Sequence, residues 1–302
     1  MAILAAVLAA ATQCSMYAAS ASVSATPRAT ASSLDHAIKK TTVHPLAPGT
    51  HVLTLKVQSR NRQIVVVVPA NIATKRRALL LVYSGALDTA MGTKNETDFV
   101  TVAARDHFVV AFLQGFRDSW NDGLDDTPAY SAGVDDVAFT AAAIRKIEGV
   151  VVFDHSRITA VGFSNGALMV QFLGCRLANL LAGIVPVEGE MPTTMSTNCT
   201  PVRPVSVLEI HGTADSVFSY GGGRFNSVFG GGGTVLSAPN SVARWASLDQ
   251  CATPPTTTTP NAGTSVINYA GCRARRTVSL LTIVGGTHQW PNDVGVLVAG
   301  VL

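Results

Sequence analysis

The chain is short of charge. Lys, Arg, Asp and Glu make up only 14% of its 302 residues, against 47% hydrophobic residues. That balance excludes a disordered polyelectrolyte and suits one globular domain with a large core. The net charge of +3 is spread along the chain without a basic stripe, so no nucleic-acid partner is expected. No two cysteines have the C-x-x-C spacing that marks many zinc sites. The glycine-rich stretch 220–233, "YGGGRFNSVFGGGG", lacks the Gly-Lys-Ser/Thr ending of a phosphate loop, which argues against a nucleotide site. It reads equally as a flap beside a cleft or as a surface loop.

The leading apolar run, "AILAAVLAAA" at 2–11, is too short to span a bilayer. Small residues follow it, with "AASA" (18–21) and "VSA" (23–25) as candidate cleavage sites. The pattern reads as a secretory signal peptide over residues 1–25, although no Lys or Arg precedes the apolar run. No stable membrane insertion is expected once it is removed. Ala11 and Gln13 stand where a lipid-anchored Cys14 would need Leu and a small residue. Residues 26–48, rich in Ala, Ser, Thr and Pro, read as a linker, and 49–302 as one folded domain, expected to be monomeric. Of five cysteines, Cys14 would leave with the signal. Cys175, Cys199, Cys251 and Cys272 remain, and an even number in an exported chain suggests disulfides. Of the three possible pairings, the nearest-neighbour one joins Cys175 to Cys199 and Cys251 to Cys272. Four buried thiols are the alternative.

The body of the chain alternates. "HVLTLKV" (51–57) and "RQIVVVVP" (62–69) read as a hairpin entering a sheet. Strands are expected at 78–84, 108–114, 157–163, 182–187, 205–212 and 277–284, the last closing the series. Helices are expected at about 95–105, 134–148, 165–178 and 240–249. Asp135 and Asp136 open the second of these, where caps and the helix dipole favour them. Residues 251–263, "CATPPTTTTPNAG", read as a surface excursion closed by a disulfide. Strands alternating with helices mean an α/β fold with a mostly parallel central sheet and helices on both faces.

One stretch carries chemistry. In "RITAVGFSNGALMV" (157–170) a strand meets Gly162-Phe163-Ser164-Asn165-Gly166 and turns into a helix. The pentapeptide Gly-x-Ser-x-Gly is weak alone, but a strand before and a helix after it is the setting of a nucleophile elbow. A serine hydroxyl needs a base, and the base an orienting acid. In such folds the order along the chain is serine, acid, histidine. His288, in "GGTHQWP", follows the last strand, and Asp215 follows strand 205–212. Ser164 is therefore read as nucleophile, His288 as base and Asp215 as orienter. His211 is read as a hydrogen-bonded residue holding the turn that carries Asp215.

Six segments, in order, carry a resemblance: "WNDG" (120–123), "GVDDVAF" (133–139), "DHSRITAVGFSNGALM" (154–169), "VLEIHGTAD" (207–215), "YGGG" (220–223) and "GGTHQWP" (285–291). The chain resembles the polyhydroxybutyrate depolymerase and feruloyl esterase family of secreted serine esterases, within the first carbohydrate esterase family and the α/β-hydrolase fold. The likeness covers about residues 50–302. It implies hydrolysis of carboxylic esters without a metal or other cofactor, with Ser164, Asp215 and His288 as the triad. It also implies an oxyanion hole from the backbone N–H groups of Asn165 and Ala86. Trp120 and Trp290 are candidates to line the substrate pocket, since large aromatics carry much contact area. Either tryptophan could equally be a packing residue. Ser84-Gly85 stands where the family has His-Gly, and the closing helix, within "NDVGVLVAGVL", must be short. The expected substrates are hydroxyalkanoate oligomers, or feruloyl or acetyl esters of plant polysaccharide. An acyltransferase, or a non-catalytic binding protein on the same scaffold, are the competing readings.

Overall fold

The computed structural model describes residues 45–70, 77–300 and 302. The expected signal peptide (1–25) and most of the expected linker (26–48) lie outside the described residues.

The first β-rich runs form a hairpin, β1 (Gly49–Val57) and β2 (Arg60–Val68), paired antiparallel. Then the chain alternates: β3 (Arg77–Tyr83), α1 (Ala90–Glu96), α2 (Phe99–Asp106), β4 (Val109–Leu113), α3 (Pro128–Ser131), α4 (Asp136–Glu148), β5 (Phe153–Phe163) and α5 (Asn165–Arg176). It continues through β6 (Gly183–Val187), α6 (Thr193–Asn198), β7 (Ser206–Gly212), β8 (Gly223–Asn226), β9 (Gly232–Val235) and α7 (Ala238–Leu248). β10 (Thr256–Asn261), β11 (Thr264–Tyr269), β12 (Val278–Ile283) and the short α8 (Val294–Ala299) follow. Among the described residues the main sheet has ten strands, in the order β1-β2-β4-β3-β5-β6-β7-β12-β11-β10. From β4 to β12 every neighbouring pair is parallel, and the two edges are antiparallel.

The apolar runs of β3 to β6 are explained by helices on both faces. On β3, Leu79, Leu81 and Tyr83 pack into one core with Phe139 and Ile147 of α4, Met169 and Leu173 of α5, and Trp245 of α7. Ala78, Leu80 and Val82 pack on the opposite face with Phe99 and Val102 of α2 and Val294 and Val298 of α8. A two-residue side-chain period thus serves two cores at once. The chain runs from β3 to β4 on one side, then to β5 on the other side of β3. Such a reversal opens a crevice at the carboxyl ends of the two diverging strands, where ligands bind in open α/β sheets.

Three elements differ from the sequence expectation. The helix expected over 95–105 is two helices, α1 and α2. Thr89 starts the first early by accepting from Gly92 N at 2.9 Å, and the chain turns extended at Thr97. The excursion at 251–263 belongs to a hairpin: β11 pairs with β12, and β10 forms the sheet edge. Its threonines suit an exposed edge strand by their β-branched shape, but with both faces wet there is no apolar alternation to read. The glycine-rich stretch forms the separate two-stranded β8–β9 hairpin. Asp135 caps α4, accepting from Ala138 N at 2.7 Å, while Asp136 is buried against the Arg62 guanidinium at 2.7 Å.

Cys175 pairs with Cys199, tying α5 to the end of α6, and Cys251 pairs with Cys272 across the base of the β10–β11 hairpin. Closing loops of 24 and 21 residues restricts the unfolded chain and stabilises the fold by roughly 3 kcal/mol each. A peptide map without reduction is expected to recover these two linked pairs; four free thiols, or crossed pairs, would contradict the pairing.

Candidate active site

The site is built where β5 gives way to α5. Ser164 has φ 55° and ψ −120°, a left-handed conformation rarely adopted by a residue with a side chain. The flanking glycines explain how the turn is tolerated. A Cβ on Gly162 would collide with the Gly166 carbonyl, and one on Gly166 would collide with the Tyr83 carbonyl oxygen and sit 2.5 Å from that of Ser84. With no side chain at either position, α5 starts flush against β5 and the end of β3. Ser164 N–H donates to Val187 O at 3.0 Å, which ties the turn to the end of β6. The strain is held by packing on both sides, as expected where strain serves a site.

Two other loops converge on this turn. The loop after β12 carries His288, whose Nε2 lies 2.9 Å from Ser164 Oγ. The loop after β7 carries Asp215, whose Oδ2 lies 2.8 Å from His288 Nδ1. A carboxylate only accepts, so Nδ1 carries the proton and Nε2 is free to accept one from the serine. The other Asp215 oxygen accepts from the N–H groups of Val217 and Phe218 at 2.7 and 2.9 Å. Burial would push the Asp215 carboxyl upward, but the His288 hydrogen bond and charge outweigh it and hold the group below the usual carboxylate range. The His288 ring lies between Phe163 and Phe218, with centroids 4.8 and 5.8 Å away.

Ala86 and Asn165 line one cavity with Ser164. Asn165 is the first residue of α5, so its N–H has no intrahelical acceptor. Its side chain faces the other way: Oδ1 accepts from Trp120 N at 2.8 Å, and Nδ2 donates to Asp122 Oδ2 at 2.8 Å. Trp120, expected near the substrate, is wholly buried and lines neither of the cavities beside Ser164 and His288. Its indole N–H donates to Ser84 O at 3.0 Å, so it braces the Ser84–Ala86 loop from below. A ring of that size with one N–H donor suits a core position that offers one carbonyl. Ser84 is buried, and its hydroxyl donates to Asp88 O at 3.2 Å.

The remaining walls divide in two. Leu168, Val217, Phe218, Phe225, Val228 and Phe229 make an apolar slot over Ser164, much of it supplied by the β8–β9 hairpin. Ser227 Oγ pins that hairpin to Asp126 O at 2.8 Å, and Phe225 stacks on Phe218 at 4.6 Å. On the opposite side Trp290 packs against Phe163 and meets Phe99 edge-on, and forms a more polar cleft with Ala86, Asp88, Glu96 and His288. Of the two readings of the glycine-rich stretch, the hairpin takes the one beside the cleft, although its glycines and single aromatics have no periodicity that would show it. A cluster of buried acids beside Asp215, made of Glu188, Glu190 and Glu209, was also missed. The signal was there: charged residues at the ends of, and inside, otherwise apolar strands. His211 sits among them and holds the Asp215 turn as expected, its Nε2 2.9 Å from Phe218 O.

The glycine argument is testable. Gly166→Ala is expected to destabilise the fold by about 2 kcal/mol or more, in the range of forced overpacking, by denaturant titration. Gly149→Ala, at a right-handed helix end with its nearest neighbour atom at 3.5 Å, is the control and is expected to be near neutral. Equal effects would remove the packing explanation of the turn.

The chain has relatives among known proteins. The Abhydrolase_2 family model, described as phospholipase/carboxylesterase, matches residues 95–227. Feruloyl esterase B of Piromyces equi is 32% identical over 234 residues, covering 75% of this chain and 42% of that protein. The chain thus spans about two-fifths of the length of the curated relatives it matches. Among solved structures, an acetyl xylan esterase from Aspergillus awamori superposes with a TM-score of 0.59 at 13% identity, over 83% of this chain and 100% of that one. A thermostable esterase superposes with a TM-score of 0.51 at 15% identity, over 66% of this chain and 52% of that one. The chain has the α/β-hydrolase fold, and among the proteins built on that fold it resembles the carboxylesterases.

Proposed function

We propose that the chain is a serine esterase that hydrolyses carboxylic esters by two-step acyl transfer. The observation that carries this reading is the unbroken hydrogen-bonded series Ser164–His288–Asp215, at 2.9 and 2.8 Å, on a strained strand-to-helix turn. Ser164 Oγ attacks the ester carbonyl while His288 Nε2 takes its proton. Asp215 keeps the ring in the tautomer that can do so and stabilises the imidazolium that forms. The tetrahedral oxyanion is held by the N–H groups of Asn165 and Ala86, aided by the α5 N-terminus. His288 then protonates the leaving alcohol. Water repeats the sequence on the acyl-enzyme.

The substrate is an ester with an apolar acyl group and a polar alcohol. The slot of Phe218, Phe225, Phe229 and Leu168 suits an aromatic or short aliphatic acyl group, and the cleft of Trp290, Asp88 and Glu96 suits a hydroxylated alcohol. The 32% identity to a feruloyl esterase favours feruloyl esters of plant polysaccharide over hydroxyalkanoate oligomers. The two disulfides favour an exported protein.

Ser164→Ala is expected to lower kcat by on the order of 10⁶-fold, and Asp215→Asn by about 10⁴-fold, in folded protein. Retention of most activity by Ser164→Ala would refute the assignment. A panel of p-nitrophenyl esters, methyl ferulate and hydroxybutyrate oligomers ranks the acyl groups. A kcat/KM for methyl ferulate well below that of every aliphatic ester would overturn the feruloyl preference.

A further inference from the structure

Immediately after β6 the chain reads Glu188-Gly189-Glu190, and both acids are almost wholly buried. β7 brings Glu209 and His211 beside them, and the turn after it brings Asp215. His211 Nε2 lies 3.4 Å from an oxygen of Glu188 and of Glu190, and 3.6 Å from Asp215 Oδ2. Among the described residues, no Lys or Arg forms an ion pair with any of these acids. Four carboxyls this close in a dry interior cannot all be anions, so the group must share protons. His211 Nε2 faces the Phe218 carbonyl at 2.9 Å, which can only accept, so that nitrogen carries the ring's proton.

Glu188 holds the central place. Its backbone is left-handed, with φ 50°, although it is not a glycine. Its N–H donates to Ile210 O at 3.0 Å, and the preceding residue accepts from Ser164 N–H. Its carboxyl accepts from Gly212 N–H at 3.0 Å. A Cβ on Gly189 would sit 2.7 Å from Ala167 Cβ, so the segment is wedged against the first turn of α5. Glu188 is therefore flanked by two residues that meet the turn carrying Ser164, while its own carboxyl meets the strand end that leads to Asp215. An oxygen of Glu188, an oxygen of Asp215 and a ring nitrogen of His211 all lie within 4.8 Å of one another. Two buried carboxyls can pair directly only with a proton between them, and Asp215 already accepts from His288, Val217 and Phe218.

We propose that Glu188 is a positioning residue for the triad acid: as a neutral carboxyl it donates a hydrogen bond to Asp215 and fixes that carboxylate over the segment beneath Ser164. This role rests on the esterase reading above. The electrostatics agree with it. Burial pushes Glu188 up to about 9, Glu190 to about 10 and Glu209 to about 8, while Asp215 stays below its usual range. The groups facing Glu188 are Asp215, Glu209 and His211 from β7 and its turn, and Glu190 on its own segment; His288 acts through Asp215. His211 is kept uncharged by burial, so ionisation of Glu188 would place a second uncompensated anion against Asp215.

The test is the pH profile of kcat on a soluble p-nitrophenyl ester for wild type, Glu188→Gln and Glu188→Leu. Glutamine keeps an N–H donor and never ionises. Glu188→Gln is expected to keep neutral-pH kcat within about threefold and to lose the alkaline fall that wild type shows as Glu188 ionises near 9. Glu188→Leu, which has no donor, is expected to lower kcat by roughly 10- to 100-fold with KM little changed. If the leucine variant does not fold, the alkaline limb of Glu188→Gln decides alone. The same alkaline limb in Glu188→Gln as in wild type, or a Glu188→Gln kcat as low as that of Glu188→Leu, overturns the role. Ser164→Ala assayed alongside separates the two claims. If it is inactive while Glu188→Gln keeps the wild-type limb, only the positioning role fails; if it is active, the site on which that role rests fails.

Discussion

Everything at the site depends on how closely α5 approaches β5 and the end of β3. Two glycines permit that approach, and the space leaves no room for a Cβ at either. The consequence for Ser164 is geometric. Its backbone is forced into a left-handed turn, so the hydroxyl leaves the sheet surface and the first N–H groups of α5 lie beside it. The same approach brings the Ser84–Ala86 loop over the helix N-terminus. Trp120 and Asn165 then lock that loop and the 120–122 segment together by hydrogen bonds of 3.0 and 2.8 Å. The turn, the helix end and the neighbouring loop are therefore one packing unit.

The electrostatics are arranged around a single retained anion. Asp215 accepts two backbone N–H bonds and one imidazole N–H, and these offset the cost of burying its charge. Its acidic neighbours have no such set of donors. Among the described residues both Glu190 oxygens lack a hydrogen-bond partner, and Glu209 is met only by Ser241 and Gln171 at 2.6 and 3.1 Å. Burial therefore leaves them neutral and the charge on Asp215. That division gives His288 one carboxylate to work against instead of a diffuse negative field.

The fold was legible because parallel strands covered on both faces leave long apolar runs, as in "ALLLVYS", and the helices between them carry caps and an apolar period. Ser164, Asp215 and His288 were legible because each follows a strand in the order that such folds use, and the structure brings all three within hydrogen-bond reach. The edge hairpin β10–β11 was not, since a wet strand has no pattern beyond its threonines. Trp120 misled for a related reason: a large aromatic beside a functional motif suits a pocket or a core equally, and only burial separates them. The acid cluster escaped because a charge in an apolar strand marks one buried position at a time and does not show that Glu188, Glu190 and Glu209 lie together beside Asp215.

The central claim is that the strained turn at Ser164 presents an activated hydroxyl between the Asn165 and Ala86 N–H groups. Reaction with an organophosphonate probe, followed by peptide mass spectrometry and a structure of the adduct, tests it most directly. The account predicts a single label on Ser164, with the phosphonyl oxygen about 2.7–3.1 Å from both backbone nitrogens. A label on a different residue, no label at all, or an adduct oxygen turned away from these two groups would contradict it.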